Sequence, residues 1–288
     1  MFDAGAVGSS FSRAAATYAD AAVLQRQVED DLLERLTLIR GAESLTTPVV
    51  VDLGAGPGRA AAQLAALDDV EQLLALDLAR DMLATIPPST GHRAQADAAF
   101  LPLRDASIDL IWSSLMLQWC PVPGRVFAEV ARCLRPDGLF LFSTLGPDTL
   151  KELRSAWGSV DPAPRVSPFL DMHLLGDALL QAGFSNPVMD VRYLTLTYDK
   201  VEGLLRDLKH WGAANRRSDR PRHLTGRGRL NAMIEAYEGR RRDGRIPATF
   251  EVVYGYARGV PSGRARRESG AEVARIAIDA IGGRGKQS

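Results

Sequence analysis

The sequence predicts an α/β protein: a doubly wound, largely parallel sheet with a helical lid inserted near its end. Three observations predict it. Short apolar runs alternate with helix-period segments from residue 49 to 144, the rhythm that builds parallel sheets with helices on both faces. A glycine loop, Gly54-Ala55-Gly56-Pro57-Gly58, follows the first of those runs directly. After Gly146 the rhythm changes, and two further strand-like runs flank a helical, arginine-rich segment.

Taken in order, residues 12–38 read as one helix, with Val23, Leu24, Val28, Leu32 and Leu36 at helical spacing and Glu29, Asp30 and Asp31 on the polar side. Residues 41–48 break it. Val49-Val50-Val51 is too short for a helix and reads as the first strand, followed by a helix over 60–67. Residues 73–77 are a second strand, 79–85 a helix closed by Pro87-Pro88, and 93–96 a short third strand. A fourth strand at 108–113, a helix at 125–134 and a fifth strand at 139–144 follow, the last after the turn Pro136-Asp137-Gly138. Beyond them, 149–157, 173–181, 201–209 and 228–237 read as helices, and 188–198 and 249–258 as strands able to pair as an antiparallel edge. The tail past Gly259 is rich in glycine, arginine and alanine, with one short helix expected at 271–281 and partly disordered ends. The organisation is then an N-terminal helical cap (1–46), a core (47–198 with 247–259), a basic helical lid (199–246) and a tail (260–288).

With 288 residues, 46% of them hydrophobic, the chain can bury one full core and an appended subdomain. It contains no apolar run of about 18 residues, so no membrane span is expected. Its start lacks a basic segment followed by an apolar one, which makes the cytoplasm the expected location. Cys120 and Cys133 are the only cysteines and are expected to stay reduced. His92, His173, His210 and His223 show no ligand spacing, so no metal is expected. Charge sums to zero, yet residues 209–245 are strongly basic. That points to an acidic partner, or equally to an ordinary solvated face.

Glycines let the loop backbone turn sharply and approach a ligand where a Cβ would clash. Dinucleotide sites use similar parts, but two details favour a different ligand. The spacing is G-x-G-x-G, and Asp52 precedes it; an acid there repels a pyrophosphate and suits a cationic amino-acid moiety. Asp77 ends the second strand, placed to accept ribose hydroxyls, and Asp97 follows the third, placed to accept from an adenine amino group. Each acid alone is equally a turn or helix cap; three at successive strand ends form the pattern.

From residue 49 to 144 this pattern resembles the class I S-adenosylmethionine (AdoMet)-dependent methyltransferases. The resemblance implies a seven-stranded Rossmann-like sheet with its last strand antiparallel and AdoMet lying across the first strand ends. It implies cofactor contacts at Tyr18, Gln25, Asp52, Gly54, Ala55, Gly56, Asp77, Leu78, Met82, Asp97, Ala98 and Ser113. The flanks are more specific. Phe11-Ser12-Arg13-Ala14-Ala15-Ala16-Thr17-Tyr18 with Leu24-Gln25, Leu117-Gln118-Trp119-Cys120, 146–153, 169–173, 224–227 and 248–255 resemble the malonyl-carrier-protein methyltransferases of biotin synthesis, over residues 11–257.

That family resemblance implies esterification of the free carboxylate of a malonyl thioester, carried on acyl carrier protein or coenzyme A, to prime pimeloyl synthesis. S-adenosylhomocysteine is the implied product. A carboxylate is ionised at pH 7, so the reaction requires no general base, and Tyr18, Gln118 and Trp119 are expected to position the reactants. Arginine suits the distal carboxylate through its planar fork. Arg154, Arg192 and Arg206 are the candidates, with salt-bridge or packing roles the alternative for each. Arg216, Arg217, Arg220, Arg222, Arg240, Arg241 and Arg242 are expected to dock the acidic carrier protein. Nucleic acid is not expected, because aromatic residues are sparse in that segment. Two other readings stay open: a small-molecule methyltransferase, and an AdoMet-binding assembly factor without turnover.

Overall fold

A computed structural model of the chain describes residues 4–43, 45–161, 163, 165–211 and 225–260, and the backbone of 266–268 and 271–273. Two helices, α1 (Ala4–Ala21) and α2 (Val23–Glu43), precede the alternating half: β1 (Val49–Leu53), α3 (Arg59–Ala65), β2 (Gln72–Asp77), α4 (Arg80–Thr85), β3 (His92–Gln95), β4 (Ile108–Ser113), α5 (Pro123–Cys133) and β5 (Leu134–Leu145). The second half runs α6 (Lys151–Gly158), α7 (Met172–Gln181), β6 (Ser185–Tyr198), α8 (Val201–His210), α9 (Arg227–Glu238) and β7 (Ile246–Arg258). Two short strands, β8 (Arg266–Glu268) and β9 (Ala271–Val273), pair with each other.

The seven-stranded sheet has the order β3-β2-β1-β4-β5-β7-β6. Strands β1 to β5 are parallel neighbours, and β7 lies antiparallel between β5 and β6. The chain leaves β1 toward β2 on one side and later returns to β4 on the other. The crevice where those two directions part, at the carboxyl ends of β1 and β4, is where such sheets bind ligands.

Helices cover both faces of the sheet, so β1 and β4 are buried nearly throughout. On one face α2 lays down Leu24, Val28, Leu32 and Leu36, each four residues from the last and all at most 2% exposed. On the other, Val126, Phe127, Val130 and Cys133 of α5 pack with Phe140, Phe142 and Phe184. Gly255 of β7 stands opposite Phe142. A Cβ there would fall 2.4 Å from the Phe142 ring, so only glycine lets this ring lie flat across the sheet. The segment between β6 and β7 carries α8 and α9. No helix among the described residues is long and apolar enough to cross a membrane.

Two elements differ from the sequence expectation. Residues 12–38 are not one helix: the chain breaks at Ala22. The Trp211 indole donates to the Ala21 carbonyl at 2.6 Å and Arg26 to the Ala19 carbonyl at 2.6 Å. These bonds satisfy carbonyls that α1 leaves open at its end and let it depart from the line of α2. In the tail, 271–273 is a strand paired with 266–268 rather than the start of a helix; 274–281 lies outside the described residues.

Candidate active site

Strand β1 delivers the glycine loop into the crevice. Gly54 takes φ +82°, and a Cβ on it would sit 2.5 Å from Cγ of Met116. The N–H groups of Gly54 and Ala55 both donate to the Leu76 carbonyl, at 2.8 and 3.0 Å, which ties the loop to β2. Asp77 completes the tie. Its Oδ1 accepts the Ala79 N–H at 2.7 Å and its Oδ2 the Gly56 N–H at 2.8 Å. Burial pushes the Asp77 carboxyl above the usual carboxylate range, while the backbone donors pull it back. Each carboxylate oxygen keeps a second acceptor direction for a ligand hydroxyl.

A large cavity opens over this loop. Tyr18, Gly54, Gly56, Asp77, Leu78, Met82, Asp97 and Ala98 line it, with Phe11 beside Tyr18 from α1. Asp97 accepts the Ala99 N–H at 2.9 Å, which shapes the turn after β3. A small recess adjoins the cavity at Tyr18, Gly54 and Gly56, and holds Gln25, Asp52 and Ala55. Ser113 is fully buried and lines neither space; the next residue, Ser114, forms the wall instead. Alternation along a strand places neighbouring side chains on opposite faces, so a one-residue shift exchanges the two.

The recess fits a cation. Asp52 is 1% exposed, and its Oδ2 has no hydrogen-bond partner among the described residues. Burial holds its carboxyl well above the usual range, and the nearby charges of Glu29 and Asp77 add to this. Gln25 Oε1 is likewise buried without a partner. Glu29 is a residue that sequence reasoning missed: it lines the recess while paired with Arg59 at 2.9 Å. The available signal was its position four residues after Gln25, which puts both on one helical face. Two carboxylates and an amide oxygen around one recess suit an ammonium group.

A second cavity, about half the volume of the first, meets it at Phe11, Tyr18, Leu115 and Trp119. Trp119 packs edge-on against Phe11 at 5.4 Å. Burial, with the charges of Glu29 and Asp77, raises the Tyr18 phenol above its ordinary value, so it stays neutral. Gln118 accepts from Thr144 Oγ1 at 3.2 Å and faces the second cavity. Thr149, Leu150 and Leu153 form another part of the wall. Their loop is fastened to β7: Gly146 donates to the Glu251 carbonyl at 2.8 Å and Asp148 N–H to Glu251 Oε2 at 2.6 Å. A Cβ on Gly146 would sit 2.5 Å from Cδ of Glu251. The flanking segments 146–153 and 248–255 therefore act together, as one buttress for this wall.

Among the described residues, the lining of the second cavity contains no histidine and no carboxylate, and its charged group is Arg165. The arginines expected from sequence lie elsewhere. Arg154 donates to the carbonyls of Pro147 and Thr149 at 2.8 and 3.0 Å, behind the wall. Arg192 pairs with Asp31 of α2 at 2.6 Å, and Arg206 lies exposed on α8. None of the three lines this cavity. Arg165 stands between Pro164 and Pro168 in a stretch with no helical or strand period, which left sequence reasoning nothing to place it by. Of the docking arginines, Arg240, Arg241 and Arg242 are exposed; Arg216, Arg217, Arg220 and Arg222 lie outside the described residues.

Comparison with known proteins agrees with this geometry. A methyltransferase domain family matches residues 51–142. The chain is 47% identical to the malonyl-(acyl-carrier protein) O-methyltransferase of Methylovorus sp., over 89% of each chain. It is 48% identical to that of Laribacter hongkongensis, over 92% of each. Among solved structures it is similar to the YcgJ protein of Bacillus subtilis, with a TM-score of 0.56, 17% identity and coverage of 79% of this chain and 98% of that one. A SAM-dependent methyltransferase from Thermotoga maritima gives 0.52 and 16%, over 88% and 99%. The structural likenesses speak for the fold.

Proposed function

The chain belongs to the malonyl-(acyl-carrier protein) O-methyltransferase family, and we propose that it transfers the methyl of AdoMet to the free carboxylate of a malonyl group on acyl carrier protein. The observation that carries this reading is the junction of the two cavities at Tyr18 and Trp119. A cation-binding cofactor site there meets an acceptor space whose lining, among the described residues, holds an arginine, no histidine and no carboxylate. An alcohol or amine acceptor needs a group to take its proton; a carboxylate arrives ionised.

Bound AdoMet supplies a methyl activated by a sulfonium centre. The chain's own residues bind and orient. Asp52, Glu29 and Gln25 face the recess that suits the ammonium end, and Asp77 offers acceptor directions for ribose hydroxyls. Asp97 faces the far part of the large cavity, at the adenine end. Tyr18, Trp119 and Phe11 close the junction and exclude water, and Gln118 borders the acceptor space. Holding two reactants in attack geometry contributes about 7–11 kcal/mol in favourable systems, so a site without acid–base groups is sufficient. Arg240 and Arg242 take part in docking the acidic carrier.

Incubation with AdoMet and malonyl-acyl-carrier protein, followed by intact mass spectrometry of the carrier, tests the proposal. Acetyl- and succinyl-carrier proteins serve as controls. A gain of one methylene on the malonyl form alone is the expected result. An unchanged malonyl carrier, with AdoMet still bound, overturns it in favour of a small-molecule acceptor or a non-catalytic role.

A further inference from the structure

We infer that Arg165 clamps the acceptor's carboxylate and is the residue that selects malonyl over an uncharged acyl group; this rests on reading the second cavity as the acceptor site. Arg165 projects from the loop between α6 and α7 with a side chain only 12% exposed. Three neighbours hold its guanidinium in place. Asp161 forms an ion pair with it, the ring of Trp157 lies 5.0 Å beneath it, and Thr225 Oγ1 accepts from it at 3.0 Å. A long, flexible side chain is thereby fixed before any substrate arrives, so little rotamer entropy remains to be lost on binding.

A second guanidinium stands close by: Asp161 also faces Arg229 at 3.8 Å. Much of the wall is apolar, including Leu145, Val166, Phe169 and Phe250. An ion pair formed there is screened less than one in water.

The clamp also explains how one group both binds and reacts. A carboxylate has two oxygens; a guanidinium can hold one and leave the other directed at the methyl donor. Transfer converts the anion into a neutral ester and removes the ionic attraction. Binding is therefore strong for substrate and weak for product, which favours release after one methylation.

The test compares the KM for malonyl-carrier protein with the inhibition constant of acetyl-carrier protein, in the wild type and in Arg165→Gln and Arg165→Lys. Carrier docking enters both constants equally and cancels in their ratio. In the wild type malonyl is expected to bind the more tightly. In Arg165→Gln the KM for malonyl is expected to rise on the order of 10- to 100-fold, the range of a lost charged hydrogen bond. The acetyl constant should stay put, so the ratio falls toward one, with AdoMet affinity by calorimetry unchanged. Arg165→Lys keeps the charge and loses the fork, and a several-fold rise in the malonyl constant alone is expected; it carries the test should the glutamine variant fail to fold. A variant that keeps the wild-type ratio, or shifts both constants together, overturns the clamp alone. A wild type that leaves malonyl-carrier protein unmethylated overturns the acceptor reading, and the clamp with it.

Discussion

The Asp77 carboxylate accepts the backbone N–H of Gly56 at 2.8 Å, so the end of β2 holds the middle of the glycine loop that follows β1. The same carboxylate caps the Ala79 N–H. One side chain thus shapes two walls of the cofactor cavity besides facing the ligand. Asp77→Ala removes both anchors together with the ribose acceptors. Hydrogen bonds to a charged group contribute about 1.5–3 kcal/mol each, so AdoMet affinity is expected to fall at least about 100-fold. Calorimetry checks the affinity, and circular dichroism should show the fold retained. Unaltered affinity would refute the ribose assignment.

Gly54 and Gly56 both take positive φ, +82° and +53°, yet their surroundings differ. A Cβ on Gly54 meets Met116 at 2.5 Å, whereas one on Gly56 has no neighbour within 4 Å. Gly56→Ala is expected to show only the conformational cost, about 1–2 kcal/mol. Gly54→Ala adds overpacking of about 1–3 kcal/mol. Denaturant unfolding should order the variants accordingly. Met116→Gly removes both the Cγ and the Cβ that the new methyl would meet, at 2.5 and 2.6 Å. In the Gly54→Ala background it should relieve the overpacking part, measured against Met116→Gly alone. Equal losses at the two glycines would count against the steric account.

Asp52 gives the apo protein a pH dependence of definite sign. In the unfolded chain an aspartate ionises near pH 3.9, as model peptides do; in the fold, burial and the charges of Glu29 and Asp77 raise this value well above that. Between the two values the folded state binds more protons, so stability falls as pH rises through that window, by about 1.4 kcal/mol per pH unit. Asp52→Asn should raise the melting temperature of the cofactor-free protein at neutral pH and flatten its pH profile. The same variant should weaken AdoMet binding. An ammonium beside Asp52 favours the ionised carboxyl, so binding should release protons from the wild type. Calorimetry in buffers of different ionisation enthalpy measures that release, and Asp52→Asn should reduce it.

Much of this site was readable in one dimension because its chemistry sits at strand ends. Asp52 and Asp77 each follow a short apolar run, Asp97 follows the short polar strand His92–Gln95, and the alternation of strands and helices locates the crevice. What stayed hidden depends on distant parts of the chain. The break after Ala21 is met by Trp211, which bonds the Ala21 carbonyl from 190 residues further on. Glu29 belongs to a run of acids that reads as a solvated face, yet the helix turns it toward the recess beside Gln25. Arg165 occupies an aperiodic, proline-flanked loop, and contacts with Asp161, Trp157 and Thr225 direct it into the cavity wall. Periodicity reports local faces; it does not report which loop closes over a cavity.

The basic run 240–242 separates into different roles once its contacts are known. Arg241 is committed to the fold: it pairs with Glu238 at 2.6 Å and donates to the carbonyls of Gly244 and Asp199. Arg240 reaches Ser155 Oγ on α6, next to the loop-bearing side of the acceptor cavity, and Arg242 is exposed at the turn before β7. If the acidic carrier docks here, charge reversal at Arg240 and Arg242 together should raise its KM several-fold at low ionic strength and leave kcat unchanged. The effect should shrink as salt rises, because exposed charges are screened beyond about 8 Å at physiological ionic strength. Arg241→Ala should act mainly on local stability, within the roughly 0–1 kcal/mol of an exposed ion pair. Steady-state kinetics at two salt concentrations checks the set. A KM indifferent to the double reversal at low salt would place the carrier on another face of the molecule.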